Sequence, residues 1–235
     1  MFRIFAIICR EMSHYFFSPI AYIVIVAFLL INGWFLFSNF FLAGQLTLSQ
    51  FFNITPIVLI FFTPAITMRL VAEEKNTGSI EALLTLPVSE LEVVIAKFIS
   101  AFLFLFISLV FTLSYPLSIS LLGNLDWGVI ISGYLGLVLM GGAFLSMGLL
   151  MSTLSKNQII AFILGLFLCL FFYLIDKVLI FLPGFSVNFF EYSGVDYHFR
   201  NLAKGVIDTR DLIYFVSIMF TGIFLSSYIL KRRTG

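Results

Sequence analysis

The side chains able to do chemistry gather in two short stretches of an otherwise apolar chain. One holds Arg69, Glu73, Glu74 and Lys75; the other holds Asp196, Tyr197 and His198, followed by Arg200, Lys204, Asp208, Arg210 and Asp211. An Asp beside a His can orient an imidazole for general acid–base work, but that chemistry also needs a nucleophile or second base within reach. None stands at readable spacing. Phosphate-loop GxxxxGK[ST], HExxH, GxSxG and paired-Cys patterns are all missing from the sequence. Cys9 and Cys169 lie far apart, which suggests neither a disulfide nor a cysteine metal site. The expectation is therefore no catalytic residue and no metal site, with the polar groups serving to bind, orient or face water.

Composition says what kind of scaffold must position them. Of 235 residues, 61% are hydrophobic and 11% charged, with mean hydropathy +1.13, which marks an integral membrane protein. The formal net charge is +1, and the basic run Lys231, Arg232 and Arg233 reads as a membrane-end anchor, so nucleic acid is not an expected partner. The first apolar run has no small-residue cleavage site and is long enough to span, so it is read as retained.

Residues 1–18 carry Arg3, Arg10, Ser13 and His14 on one helical stripe with apolar residues around the rest, the pattern of an interfacial helix in contact with membrane lipid. Ser18 and Pro19 then start a helix that turns into the bilayer. A spanning helix needs about 20 apolar residues. By that measure 19–42, 51–71, 91–122, 129–152, 158–182 and 212–230 are six membrane helices, giving an all-α domain over 19–235. With the N terminus inside, Arg3, Arg10, Arg69, Lys75, Lys97, Lys156, Lys231, Arg232 and Arg233 fall on the inner side. Only Lys177, Arg200, Lys204 and Arg210 fall outside. Both termini are thus expected in the cytoplasm. Pro56, Pro64 and Pro116 should bend the second and third spans. The hydrocarbon core holds almost no ionisable side chain, which disfavours a proton- or sodium-driven transporter.

Residues 72–90 form the longest inner polar interval. Asn76 can cap a short helix over 76–86 with Ile80, Leu83 and Leu84 on one face and Glu81 elsewhere, stopped by Pro87. Ser89 and Glu92 have capping-box spacing, so the next helix begins at Glu90. Such a segment either rests on the headgroups or docks its apolar anchors into a groove on a cytoplasmic protein.

The fourth span is rich in small residues, with Ser132 and Gly136, and Gly142 and Ser146, at four-residue spacing and Gly133 alongside. Backbones can approach closely there, either within the bundle or at a second subunit. Residues 183–211 are the largest outer segment, aromatic and charged by turns, suited to a lid on a pathway or a platform for a partner. Asp208 and Asp211 are placed to cap the sixth span.

Residues 68–98, MRLVAEEKNTGSIEALLTLPVSELEVVIAKF, resemble the segment between the second and third spans of ABC-2 type permeases. The shared pattern is Arg69, the pair Glu73 and Glu74, Thr77 and Gly78, Leu83 and Leu84, Pro87 and Lys97. Tyr197-His198, Gly205 to Asp208 and Arg210-Asp211 look like the narrower group of gliding-motility-associated ABC permeases. The resemblance implies an exporter-type permease fold in a bacterial cytoplasmic (inner) membrane, working as a homo- or heterodimer of permease subunits on ABC ATPase subunits that hold the ATP and Mg. It assigns ATPase coupling to Glu73, Glu74, Asn76, Thr77, Gly78, Ile80, Glu81, Leu83 and Leu84. It also implies a partner with a large extracytoplasmic domain near Tyr197, His198, Arg200, Asp208 and Arg210. No cofactor is implied on this chain. The work done is either substrate export or mechanical transmission to that partner with nothing crossing.

Overall fold

A bilayer offers no water to backbone N–H and C=O groups, so a spanning chain satisfies them within its own helices. In the computed structural model, which describes residues 2–43, 48–78, 89–177 and 192–234, every regular element is helical. In order these are α1 (Phe2–Phe17), α2 (Pro19–Ala43), α3 (Ser49–Thr67), α4 (Ala72–Thr77), α5 (Glu90–Thr112), α6 (Ser114–Ser120), α7 (Trp127–Leu154), α8 (Gln158–Leu174), α9 (Val195–Ala203) and α10 (Thr209–Thr234). Among the described residues five stretches are long and apolar enough to cross a membrane: α2, α3 with α4, α5 with α6, α7, and α10. The chain is a multi-pass membrane protein. The sixth expected span appears as α8, 17 residues long and so at the lower limit of about 17 to 25. The remainder of that expected run, beyond residue 177, lies outside the described residues.

The bundle is built around α7, which packs against α10, α8, α3, α9 and α5. Its 28 residues reach about 42 Å at 1.5 Å per residue. Small residues make the close approach possible. A Cβ on Gly133 would stand 2.4 Å from the Phe52 ring, one on Gly136 3.0 Å from Leu202 Cβ, and one on Gly142 2.7 Å from Met219 Cε. Ser146 meets Gly222 of α10 so closely that a Cβ there would lie 2.7 Å from the Ser146 hydroxyl. This face of α7 is covered by the chain's own helices.

The expected third span is not continuous. It breaks at Leu113 into α5 and α6, because Pro116 has no N–H to give the Thr112 carbonyl four residues back. The Tyr134 hydroxyl of α7 donates to that carbonyl instead, at 3.0 Å. A second polar tie lies between α2 and α3, where buried Thr55 donates to Asn32 Oδ1 at 2.8 Å and Asn32 donates onward to the Phe28 carbonyl. At the start of α5 the predicted capping box forms. Glu92 N–H donates to Ser89 Oγ at 3.3 Å, and Ser89 N–H to Glu92 Oε2 at 2.9 Å.

Helix α1 lies against the first turns of α5, with Ile7 packed on Val93 and Ala96. Its end is fixed by Tyr15, whose ring stacks on Phe104 at 4.9 Å and whose hydroxyl donates to the Ile66 carbonyl at 3.1 Å. Phe5 and Phe17 stay exposed, as suits a helix lying in lipid.

Candidate functional site

Where α3 ends, the chain makes one turn and re-forms as the six-residue α4. The start of α4 is held from outside. Ser152, near the end of α7, accepts from Val71 N–H at 3.2 Å and Ala72 N–H at 3.1 Å, and donates to the Met68 carbonyl at 3.3 Å. A helix start needs its first N–H groups satisfied, and here one hydroxyl from another helix does it. The Lys75 ammonium donates to the Thr153 carbonyl, placing a cation on the open C-terminal carbonyls of α7. Helix α4 ends at Gly78, whose φ of +74° is left-handed and open to glycine at little cost. The Thr77 hydroxyl bonds back to the Glu73 carbonyl at 3.1 Å.

These facts correct the expected helix over 76–86 in its first residues. Asn76 is exposed inside the last turn of α4 rather than at a helix start, and Gly78 terminates that helix. The cause is Ser152, which supplies the capping group from a distant part of the chain and moves the start back to Ala72. Ile80, Glu81, Leu83, Leu84 and Pro87 lie outside the described residues.

Four charges close a square beside α4. Lys97 Nζ of α5 stands 3.0 Å from Glu11 Oε1 of α1 and 2.9 Å from Glu74 Oε1 of α4. Arg10 Nη2 stands 2.7 Å from the same Glu11 oxygen and 2.9 Å from the same Glu74 oxygen. Lys97 is 1% exposed, so its charge is held by these carboxylates rather than by water. Burial would raise the Glu11 carboxyl, but the Lys97 ammonium and Arg10 guanidinium outweigh it and hold that carboxyl below its ordinary value. The square joins α1, α4 and α5. Glu11 carried no signal of its own in the sequence. A lysine at the mouth of an apolar helix was the usable sign, since such a charge calls for counter-charges nearby.

The opposite end of α7 carries α9. Phe199 and Leu202 lie on Gly136, and Gly205, at φ +91°, turns the chain toward α10. His198 is fully buried, with Nδ1 2.6 Å from Asp211 Oδ1 and Nε2 2.9 Å from the Tyr192 carbonyl. Both ring nitrogens thus face an oxygen, and the imidazole is held at its two ends. Tyr214 stacks on that ring at 4.0 Å, and Asn201 donates to Asp211 Oδ2 at 3.1 Å. Asp208 does cap α10, accepting from Arg210 N–H at 3.0 Å. Asp211 does not, because its carboxylate is taken by His198 and Asn201.

Beside this pair, Asp196 meets Arg200 and Lys177, and Asp176 sits 3.9 Å from Arg200. Tyr197 lies edge-on to His198, and Arg210 is exposed. The contacts of His198 with Asp211, Tyr192 and Tyr214 tie α9 to the start of α10.

A family model described as ABC-2 family transporter protein matches residues 39–194, more than half of the chain and reaching from the end of α2 to the start of α9. Among curated proteins no match is found.

Proposed function

Since the chain belongs to the ABC-2 family of transporter proteins and is a membrane permease subunit of an ABC transporter, we propose that α4 and the residues up to 90 receive the stroke of a separate ATPase subunit. The observation that carries this is the fixing of α4 to three elements at once: to α7 through Ser152 and Lys75, and to α1 and α5 through the charge square. A push on such a segment moves the bundle rather than a loop. In this reading Glu73, Glu74, Asn76, Thr77 and Gly78 form the root of the contact, and Ile80, Glu81, Leu83 and Leu84 meet the ATPase, which carries ATP and Mg.

The distribution of Lys and Arg supports an orientation with α1 and both termini in the cytoplasm of a bacterial inner membrane. The complex then holds two permease subunits, and α9 faces a partner with a large extracytoplasmic domain, as in gliding-motility-associated relatives. Reconstitution of the complete complex decides whether ATP moves a lipid or solute, or only that partner.

The test of the contact is recovery of ATPase with permease purified in detergent. A buried leucine anchor is worth roughly 1.5 to 3 kcal/mol, so Leu83→Asp should cut ATPase affinity at least about tenfold while the permease still inserts. Undiminished recovery with Leu83→Asp and Glu81→Lys, with activity intact, sinks the proposal.

A further inference from the structure

Between α1, α2, α3 and α4 lies an open cavity of about 380 Å³. Its two ends differ in kind. The mouth carries Arg10, Glu11, His14, Arg69, Glu73 and Glu74, while Ala21, Val24, Ala65, Ile66 and Phe104 line the other end. Phe104 stands two helical turns beyond Lys97 on α5, about 10 Å farther into the bundle. The polar mouth is therefore level with α1, and the apolar end reaches into the spanning region.

Most of the mouth's charge is already matched. Arg10, Glu11, Glu74 and Lys97 neutralise one another in the square. Arg69 is different. Its guanidinium forms no hydrogen bond or ion pair with the described residues, and its Nε is buried. A guanidinium has five donors in a fork that fits a phosphate, and a buried donor without a partner is costly. Glu73 lines the same mouth and likewise forms no ion pair with the described residues. A cation and an anion left over in this way suit a headgroup that carries both a phosphate and an ammonium.

We propose that this cavity holds a resident zwitterionic phospholipid, its phosphate on Arg69, its ammonium beside Glu73, and one acyl chain running past Val24 and Phe104 into the bilayer. A soluble phosphate compound would leave the apolar end unfilled, and a diacylglycerol would leave Arg69 unpaired. The assignment needs only that the chain spans a membrane, so it stands apart from the ATPase contact. A lipid seated there wedges between α1 and α3 beside the charge square, and its loss would let α4 move more freely.

The test is native mass spectrometry of the full chain in detergent, titrated with phosphatidylethanolamine, phosphatidylglycerol, a diacylglycerol and glycerophosphoethanolamine. Phosphatidylethanolamine should be retained best. A charge-assisted contact removed from a shielded site should lower its retention at least about tenfold in Arg69→Gln, with partial recovery in Arg69→Lys. Val24→Trp, which obstructs the apolar end and changes no charge, should lower it as well. If Arg69→Gln does not assemble, Val24→Trp and the lipid series decide. Equal retention of diacylglycerol overturns the phosphate contact, and equal or better retention of phosphatidylglycerol overturns the part given to Glu73. Displacement of the lipid by glycerophosphoethanolamine or inorganic phosphate at matched concentration would make this a free-phosphate site. Unchanged retention in both Arg69→Gln and Val24→Trp overturns the proposal entirely.

Discussion

The two ends of α7 are both built from charges, yet they are built in different ways. At the α9 end, Tyr192, His198, Asn201, Asp211 and Tyr214 come from neighbouring parts of the chain. Asp211 there divides its oxygens, Oδ1 to His198 at 2.6 Å and Oδ2 to Asn201 at 3.1 Å, and His198 and Asp211 are buried. At the α1 end, Glu11, Glu74 and Lys97 come from far apart in sequence, and one oxygen of each carboxylate serves two cations. A group with one partner is either bonded or orphaned. A shared oxygen can lengthen one contact while keeping the other, so the square tolerates small shifts of α4 where the His198 pair does not. The first end is fit to hold, the second to yield.

Substitution of Asp211 by Ala should have the largest effect. It removes the partner of His198 and Asn201 together and should lower stability by about 3 kcal/mol, since two buried polar groups are left unsatisfied at once. Denaturant unfolding in detergent reads this directly. A loss below about 1 kcal/mol would make the α9 end as yielding as the other.

Lys97→Met comes next. Glu11 and Glu74 would lose their shared buried counter-charge while keeping the half-exposed Arg10, and about 2 kcal/mol should be lost. Hydrogen exchange should rise in residues 72–77 while α9 stays protected. Exchange rising equally at α9 would mean that the two ends are not independent.

Ser152→Ala removes the external cap of α4. It should cost about 1 to 2 kcal/mol and speed exchange of the Val71 and Ala72 amides. Unchanged exchange there would free α4 from α7 and weaken the case for a transmitted stroke.

The smallest effect is one of pH. Glu11 has a lowered carboxyl pKa, so its contribution is present above the ordinary carboxyl range and is lost as pH falls through the lowered value. Glu11→Gln should therefore flatten the loss of thermal stability on acidification, read as melting temperature against pH in detergent. An unchanged slope would remove the square's share in that loss.

Legibility from residues alone divides along the same line. The helix at 2–17, the start of α5 and the small-residue packing of α7 rest on local spacing, where the physics is settled within a few residues. The square was hidden because Glu11 and Lys97 are neighbours only after the bundle forms. Asn76 looked like a helix start for a related reason, since the group that decides the matter, Ser152, stands on another helix. Asp211 looked like a second cap because nothing near it in sequence announces that His198 will fold back onto it. In each case a distant side chain competed with a local preference and won.

The break at Leu113 carries a consequence for biosynthesis. Chains of this kind are threaded into the membrane from the N terminus onward, so α5 and α6 are in place before α7 has been made. Until then the Thr112 carbonyl, deserted by Pro116, has no donor from Tyr134. The final bend between α5 and α6 can be fixed only after α7 arrives, and the ribosome must translate at least as far as Tyr134 before the third span takes its mature shape.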